Sequence, residues 1–94
     1  MKLISNKALR DFSEKHPAAE MPLQNFRLLV EKGRFNSFAD LKTTFGSVDK
    51  VGERFVFNIG GNKYRLIAAI AFAPQLLCVK AVLTHAEYDK GDWK

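Results

Sequence analysis

Residues 54–84, RFVFNIGGNKYRLIAAIAFAPQLLCVKAVLT, decide the fold of this 94-residue chain. Gly60-Gly61 predicts a two-residue hairpin turn, because both central positions of a type I′ turn need positive φ. Pro74-Gln75 predicts a second, weaker turn. β-branched, aromatic and other apolar residues dominate the three runs that these turns separate. The predicted strands are Arg54 to Ile59, Asn62 to Phe72 and Leu76 to Thr84.

The residues before this stretch are mainly helical in pattern. Serine caps, a proline stop and a glycine stop mark the helix ends. The predicted segments are a short strand at Lys2 to Ser5, a helix from Lys7 toward His16, a helix from about Ala18 to Lys32 and a helix over Ser37 to Thr44. With 47% hydrophobic residues, 94 residues form one modest core. We therefore predict a single α+β domain over residues 1–94, with N-terminal helices packed on one face of a small, antiparallel-rich sheet.

Side chains alternate across a strand, so the pattern also predicts the two faces of the sheet. The apolar face, expected to pack on the helices, takes Phe55, Phe57, Ile59, Tyr64, Leu66, Ala68, Ile70, Phe72, Leu77, Val79, Ala81 and Leu83. The other face takes Arg54, Val56, Asn58, Lys63, Arg65, Ile67, Ala69, Cys78, Lys80, Val82 and Thr84. Every basic residue of the three strands lies on this second face, which we expect to be open.

Two-residue turns predict that polar residues gather at one end of the sheet. The expected neighbours are Asn58 with Lys63, Val56 with Arg65, and Arg65 with Thr84. His85 and Tyr88 follow directly where the last strand ends. Lys80 lies roughly 13 Å back on the same face at strand rise, within the span of a bound oligonucleotide.

The charge distribution favours an anionic partner. Lysine and arginine outnumber aspartate and glutamate by 15 to 10, giving a net charge of +5 and a pI near 9.6. No acidic residue occurs from Arg54 through Ala86. Each cation taken alone fits a solvated surface, but their clustering with a histidine and a tyrosine also indicates a phosphate-binding site.

The sequence gives little support for a disulfide, a metal site, a phosphate-binding glycine loop or a membrane span. Cys78 is the only cysteine, so no intrachain disulfide or thiolate metal cluster can form. His16 and His85 lack accompanying ligands, and no metal site is predicted. Gly60-Gly61 lacks the spacing of a phosphate-binding glycine loop. No apolar run approaches the roughly 20 residues of a membrane span, and the N-terminus is not typical of a signal peptide, so we expect a cytoplasmic protein.

Residues 55–66, FVFNIGGNKYRL, and 83–89, LTHAEYD, resemble the HigB family of messenger-RNA interferase toxins within the RelE-like superfamily. The segments ISNKALR at 4–10, FADLK at 38–42 and YDKG at 88–91 extend the resemblance over nearly the whole chain. It implies a RelE-like fold and a metal-independent endoribonuclease without a cofactor. It also implies cleavage of messenger RNA on the ribosome, and inhibition by a helix-turn-helix antitoxin of the HigA type.

In such enzymes the RNA 2′-hydroxyl attacks the adjacent phosphate, which requires a base, an acid and fixed positive charge. The residues expected to carry catalysis are Lys63, Arg65, Lys80, His85 and Tyr88. The residues expected to bind RNA are Arg54, Asn58, Asn62, Thr84 and Lys90. His85 is a candidate acid or base because imidazole titrates near neutral pH. His85, Tyr88 and a lysine all remain candidates for the general base.

Two other functions fit the same residues. A non-catalytic RNA- or ribosome-binding module would use the basic face without cutting. A protein-interaction domain would use it to dock an acidic partner. Cyclic phosphate and 5′-hydroxyl product ends distinguish the nuclease from the first, and salt-dependent RNA binding argues against the second.

Overall fold

Five strands form one mixed sheet in the computed structural model, which describes residues 1–93. The strands are β1 (Lys2–Ile4), β2 (Asp49–Val51), β3 (Arg54–Ile59), β4 (Tyr64–Ala71) and β5 (Leu76–Thr84). Their order across the sheet is β1-β5-β4-β3-β2. β1 lies parallel to β5 at one edge, and the other neighbours are antiparallel.

Three of the four helices begin and end close to the predicted positions, and the last was not predicted. The four are α1 (Asn6–Lys15), α2 (Glu20–Lys32), α3 (Phe38–Thr44) and α4 (His85–Lys90), with a 3-10 turn at Pro17–Ala19. The Ser37 hydroxyl caps α3 by accepting a hydrogen bond from the Asp40 N–H at 3.2 Å. α1 packs on β5, and α2 packs on β1 and β3. The predicted α+β class is confirmed.

An aromatic cluster fills the space between the helices and the sheet. Phe57 of β3 is fully buried at its centre. Its ring centroid lies 4.9 Å from that of Phe26 on α2 and 5.2 Å from that of Phe45. Leu9 of α1 and Leu23 of α2 are also fully buried. Each such side chain contributes about 1.5–3 kcal/mol through burial, so this layer fixes the sheet against the helices.

The predicted register of β3 and β4 is wrong by two residues. Residues 60–63 form a four-residue turn, not the two-residue turn predicted at Gly60-Gly61. Asn58 therefore pairs with Arg65 instead of Lys63, and Val56 pairs with Ile67 instead of Arg65. A shift of two leaves every side chain on its predicted face, because the period of a strand is also two. The prediction that Phe55, Phe57 and Leu66 face the core is confirmed.

The predicted faces of β5 are wrong beyond Val79. The turn before β5 spans residues 72–75, not Pro74-Gln75 alone, and a bulge lies opposite Ile67 and Ala68. Lys80 is the extra residue, since Ala68 pairs with Val79 and Ile67 pairs with Ala81. One unpaired residue exchanges the two faces for the rest of the strand.

Because the faces of β5 are exchanged after the bulge, the neighbours of Arg65 differ from those predicted. Val82 packs against the core, where Ala81 and Leu83 were expected. Leu83 pairs with Arg65, and Thr84 pairs with Tyr64 and not with Arg65.

The second face of the sheet is less open than predicted. Val56 and Ile67 lie on it with only 3% and 2% of their surface exposed. α4 contacts β4 and β5, and so covers part of this face. The sequence-based prediction did not include α4 or the short edge strand β2. Within residues 1–93, no helix is long and apolar enough to cross a membrane.

Candidate active site

The turn between β3 and β4 builds one side of the site. Gly60 and Gly61 have φ values of 63° and 70°, a left-handed conformation that favours glycine. The Lys63 N–H donates to the Gly60 carbonyl at 3.4 Å and closes the turn. This geometry places Asn62 beside the first residues of β4.

Arg65 lies at the centre of the site and exposes only 9% of its surface. Its Nη1 donates to the carbonyl oxygens of Asn62 and Tyr64 at 3.3 Å and 3.2 Å. Its Nη2 donates to Asn62 Oδ1 and lies 3.4 Å from Nδ1 of His85. The guanidinium is thus held in one orientation by the turn, and its charge is fixed at the end of the sheet.

The capping box of α4 positions His85. The Thr84 hydroxyl accepts from the Glu87 N–H at 3.2 Å, and the Glu87 carboxylate accepts from the Thr84 N–H at 2.8 Å. The hydrogen bond from the Thr84 backbone lowers the pKa of Glu87 below its ordinary value. The His85 N–H donates to the Lys63 carbonyl at 3.0 Å, which ties the start of α4 to the β3–β4 turn.

The surroundings of the His85 ring suit two protonation states. Its Nδ1 lies 3.1 Å from the Asn62 carbonyl, which only accepts, and 3.4 Å from Nη2 of Arg65, which only donates. A protonated Nδ1 donates to the carbonyl, and an unprotonated Nδ1 accepts from Arg65. On the other side of the ring, Nε2 lies 3.1 Å from the Asp89 carboxylate, so a protonated Nε2 donates to it. The inner contacts therefore hold the ring whether or not Nδ1 carries a proton.

Two aromatic rings extend the site outward from Arg65. The Arg65 guanidinium lies 5.4 Å from the ring centroid of Tyr88. Tyr88 in turn stacks on Trp93, with centroids 5.0 Å apart and planes 15° from parallel. Gly91, at a φ of 77°, reverses the chain after α4, and the Trp93 indole N–H donates to the Tyr88 carbonyl at 3.0 Å. The Tyr88 ring thus contacts both the buried guanidinium and the indole.

The sequence as a whole matches a known family. A model of the HigB toxin family, described as the RelE-like toxic component of a toxin–antitoxin system, matches residues 19–91. The chain belongs to the HigB toxin family. The predictions of a RelE-like fold and of a HigB-type toxin are confirmed.

Proteins named as HigB messenger-RNA interferases match nearly the whole chain. It is 38% identical over 92 residues to the mRNA interferase toxin HigB of Escherichia coli K12, covering 95% of this chain and 88% of that protein. The mRNA interferase HigB of Shigella flexneri matches with the same identity and coverage. The mRNA interferase HigB of Escherichia coli O6:H1 is 30% identical over 93 residues, covering 96% of this chain and 90% of its own.

The fold of this HigB-family toxin brings most of the predicted site residues together. Asn62, Arg65, His85 and Tyr88 are in direct contact. Asn58 is exposed and pairs with Arg65 across the strands. Lys63 is exposed, and its backbone carbonyl accepts from His85.

Four predicted residues lie outside this group. Arg54 is exposed at the far end of β3, and Lys80 is exposed at the bulge of β5. Lys90 is exposed at the last position of α4. The Thr84 side chain caps α4, so its hydroxyl is already engaged. These four side chains take no part in the contacts that link the group.

Sequence reasoning missed Asp89 and Trp93. The spacing of Thr84 and Glu87 is that of a capping box and could have predicted α4. A helix starting at His85 places Asp89 one turn away, where its carboxylate meets the imidazole. No comparable signal marks Trp93, because its contact with Tyr88 depends on the reversal of the chain at Gly91.

Proposed function

We propose that this chain cleaves messenger RNA by intramolecular attack of a 2′-hydroxyl on the adjacent phosphate, without a metal ion. The relatives are named as mRNA interferases, which supports messenger RNA as the substrate. The contact between Arg65 and His85 carries the mechanism, because it places a fixed cation beside a group that suits both protonation states. The Asp89 carboxylate contacts Nε2 of His85 and orients the imidazole ring.

The reaction requires two proton transfers and charge stabilisation. The 2′-oxygen bonds to phosphorus and loses its proton to a base, while the bond from phosphorus to the 5′-oxygen breaks and that oxygen gains a proton from an acid. We assign one transfer to His85 and keep Tyr88 and a lysine as candidates for the other. Arg65 supplies fixed charge from inside the site. The exposed amines of Lys63 and Lys80 are free to approach the phosphate oxygens.

The remaining cations suggest a path for the RNA. Arg54 is exposed at the far end of β3, Lys90 is exposed at the last position of α4, and Asn58 lies exposed beside Arg65. A single strand of RNA whose scissile phosphate lies near Arg65 could extend to these cations. The Thr84 hydroxyl is occupied by its cap, so we assign it to the positioning of His85.

The biological setting follows from the same proposal. Membership in a family of toxic components implies an antitoxin partner. We propose that this antitoxin is a helix-turn-helix protein of the HigA type, that cleavage occurs on messenger RNA bound to the ribosome, and that the protein works in the cytoplasm.

Analysis of product ends tests the proposed function. Purified protein and translating ribosomes should yield RNA fragments with 2′,3′-cyclic phosphate and 5′-hydroxyl ends. Arg65→Ala, His85→Ala and Lys63→Ala proteins that remain folded should lose cleavage. Asn36→Ala, at an exposed position before α3, is the matched control. RNA binding without any such ends would instead support a non-catalytic module, and undiminished cleavage by all three variants would refute the proposed site.

A further inference from the structure

Three aromatic rings form a cluster on the helix side of the sheet, at the end that carries the candidate active site. His16 directly follows α1 and stacks on Phe12 with ring centroids 4.4 Å apart. The ring of Tyr64, the first residue of β4, meets Phe12 edge-on at 5.4 Å and lies 6.0 Å from His16. Phe12 is buried, and Tyr64 packs against the core. The two partly exposed rings are therefore held on a rigid base, and neither takes part in the proposed proton transfers.

The polar atoms of these two rings are accessible to a ligand. Within residues 1–93, neither ring nitrogen of His16 nor the hydroxyl of Tyr64 takes part in a hydrogen bond. None of these atoms is sealed from solvent, because among the described residues that are not exposed only Asn6 has a side-chain polar atom that is buried without a partner. A tyrosine hydroxyl can donate, and at least one nitrogen of an imidazole donates in either protonation state. One surface thus offers two hydrogen-bond donors that the fold itself does not use.

This surface borders the candidate active site. Tyr64 pairs with Thr84 across β4 and β5, and His85 follows Thr84. Paired Cα atoms are about 4.5–5.5 Å apart and consecutive ones about 3.8 Å, so the Cα atoms of Tyr64 and His85 are at most about 9 Å apart. His16 is close to the same helix, since the hydrogen bond from the Thr84 backbone chiefly lowers the pKa of Glu87 and the charge of His16 adds to this. A strand of RNA bound at His85 can therefore extend over the end of β4 to Tyr64 and His16.

The chemistry of this surface suits the sugar-phosphate backbone of RNA. Phosphate oxygens accept hydrogen bonds, and the two rings supply donors. Lys15 and Lys63 directly precede His16 and Tyr64; both are exposed, and neither makes a salt bridge within the described part of the chain. The Glu87 carboxylate near His16 already accepts from the Thr84 N–H at 2.8 Å, as part of the cap of α4. Donors beside unpaired cations favour an anionic strand as the occupant.

We propose that Tyr64 and His16 bind the backbone of the substrate RNA on the helix side of the sheet, at a phosphate close to the scissile one. The Tyr64 hydroxyl and one imidazole N–H donate to the oxygens of this phosphate, and Lys15 adds positive charge. The inference rests on the proposed function, because the strand that is cleaved at His85 continues over β4. Both side chains bind and place the RNA, so their loss weakens binding more than the chemical step.

Substitution by phenylalanine tests the two donors while keeping both rings. Tyr64→Phe and His16→Phe retain the packing on Phe12 and should stay folded, as checked by chemical denaturation. Each should raise KM for cleavage of ribosome-bound RNA roughly ten-fold, the loss of one hydrogen bond to a charged group, while kcat stays near wild type. Thr44→Val removes an exposed hydroxyl at the last position of α3 and, as the matched control, should change neither constant. An unchanged KM in the protein carrying both substitutions, or a fall in kcat alone, would overturn the proposal.

Replacement of single phosphates in the RNA locates the contact. The probe is a single-stranded oligonucleotide with 2′-O-methyl groups, which lacks the attacking hydroxyl, and anisotropy gives its Kd. One phosphate at a time is replaced by an uncharged methylphosphonate. A replacement close to the scissile position should weaken binding to the wild type roughly ten-fold and should have little effect on the doubly substituted protein, because both changes remove the same contact. If every replacement weakens both proteins equally, Tyr64 and His16 do not bind the backbone and the proposal is wrong.

The two proposals fail separately. If wild-type protein produces no cyclic phosphate ends, the proposed cleavage is wrong, yet the methylphosphonate series still decides the backbone contact. If cleavage is normal and the doubly substituted protein keeps the KM and Kd of wild type, the backbone contact is wrong and the cleavage mechanism is unaffected. That second result would assign the accessible donors of Tyr64 and His16 to a protein partner instead of RNA.

Discussion

Replacement of Arg65 by lysine separates the charge of this residue from its shape. The guanidinium makes four contacts, two of them to Asn62 and one each to Tyr64 and His85. A lysine keeps the positive charge but has a single ammonium group on a flexible stem, which cannot occupy these positions together. The substitution therefore tests whether fixed orientation, and not charge alone, supports cleavage.

The hydrogen bonds of Arg65 determine how much stability and cleavage Arg65→Lys should lose. A hydrogen bond to a charged group contributes about 1.5–3 kcal/mol, and the bond to Asn62 Oδ1 is the one that lysine is least able to keep. We expect the free energy of unfolding to fall by about that amount. For a domain stabilised by about 5 kcal/mol or more, most molecules stay folded. Loss of one oriented donor to the developing charge lowers cleavage by roughly 100-fold, or about 2.7 kcal/mol.

Two measurements on the same preparation check this expectation. Single-turnover cleavage of RNA on ribosomes gives the rate, and chemical denaturation gives the stability. Arg34→Lys makes the same chemical change at an exposed position after α2 and should alter neither quantity. If Arg65→Lys cleaves within two-fold of wild type while remaining folded, charge alone is sufficient and the reasoning from orientation is refuted.

Three further predictions concern the elements that hold the site. Thr84→Ala removes the cap of α4 and should lower the free energy of unfolding by about 1 kcal/mol, measured by denaturation, with a loss of cleavage because His85 starts that helix. Since the folded-state pKa of Glu87 is lowered, its carboxylate stabilises the fold above the unfolded-state pKa and ceases to do so as the pH falls through the folded value. The stability difference between wild type and Glu87→Gln should therefore shrink on acidification, and a difference that grows would contradict this sign. Gly61→Ala should cost about 1–2 kcal/mol through the left-handed backbone alone, because the added Cβ meets nothing within 4 Å; an unchanged unfolding midpoint would show that the turn adapts.

The strand faces could be predicted up to the bulge because alternation is a local property. Phe55, Phe57 and Leu66 face the core as expected, although the β3–β4 turn is two residues longer than predicted. Turn length changes which residues pair, but an even change leaves each side chain on its own face. The sequence thus indicated the correct layer for these residues and the wrong partner for Asn58.

The bulge at Lys80 could not be predicted in the same way. The residues around it, Val79, Ala81 and Val82, are all apolar, so either face assignment would bury similar side chains. The choice depends on tertiary contacts, since Val82 packs against the helix side of the sheet. Without a polar residue to mark the exposed face, alternation gives no signal for one unpaired residue.

The detailed geometry of the site depends on α4, which carries His85, Tyr88 and Asp89. The sequence predicted that Arg65, His85 and Tyr88 would meet, because a strand end and the residues after it are close in any register. It did not predict how they meet, since that geometry comes from a six-residue helix too short to show periodicity. The helix brings Asp89 to the imidazole and, through Gly91, Trp93 to Tyr88.

The unequal strength of the two His85 contacts determines which nitrogen can react. Nδ1 faces the buried side, between the Asn62 carbonyl and Arg65, where exchange with a substrate would disrupt the turn. Nε2 faces Asp89, whose side chain is 62% exposed, and exposed pairs of this kind contribute about 0–1 kcal/mol. Breaking the Asp89 contact therefore costs little compared with breaking the inner one. A proton exchanged with RNA should pass through Nε2, while Nδ1 keeps the ring in place.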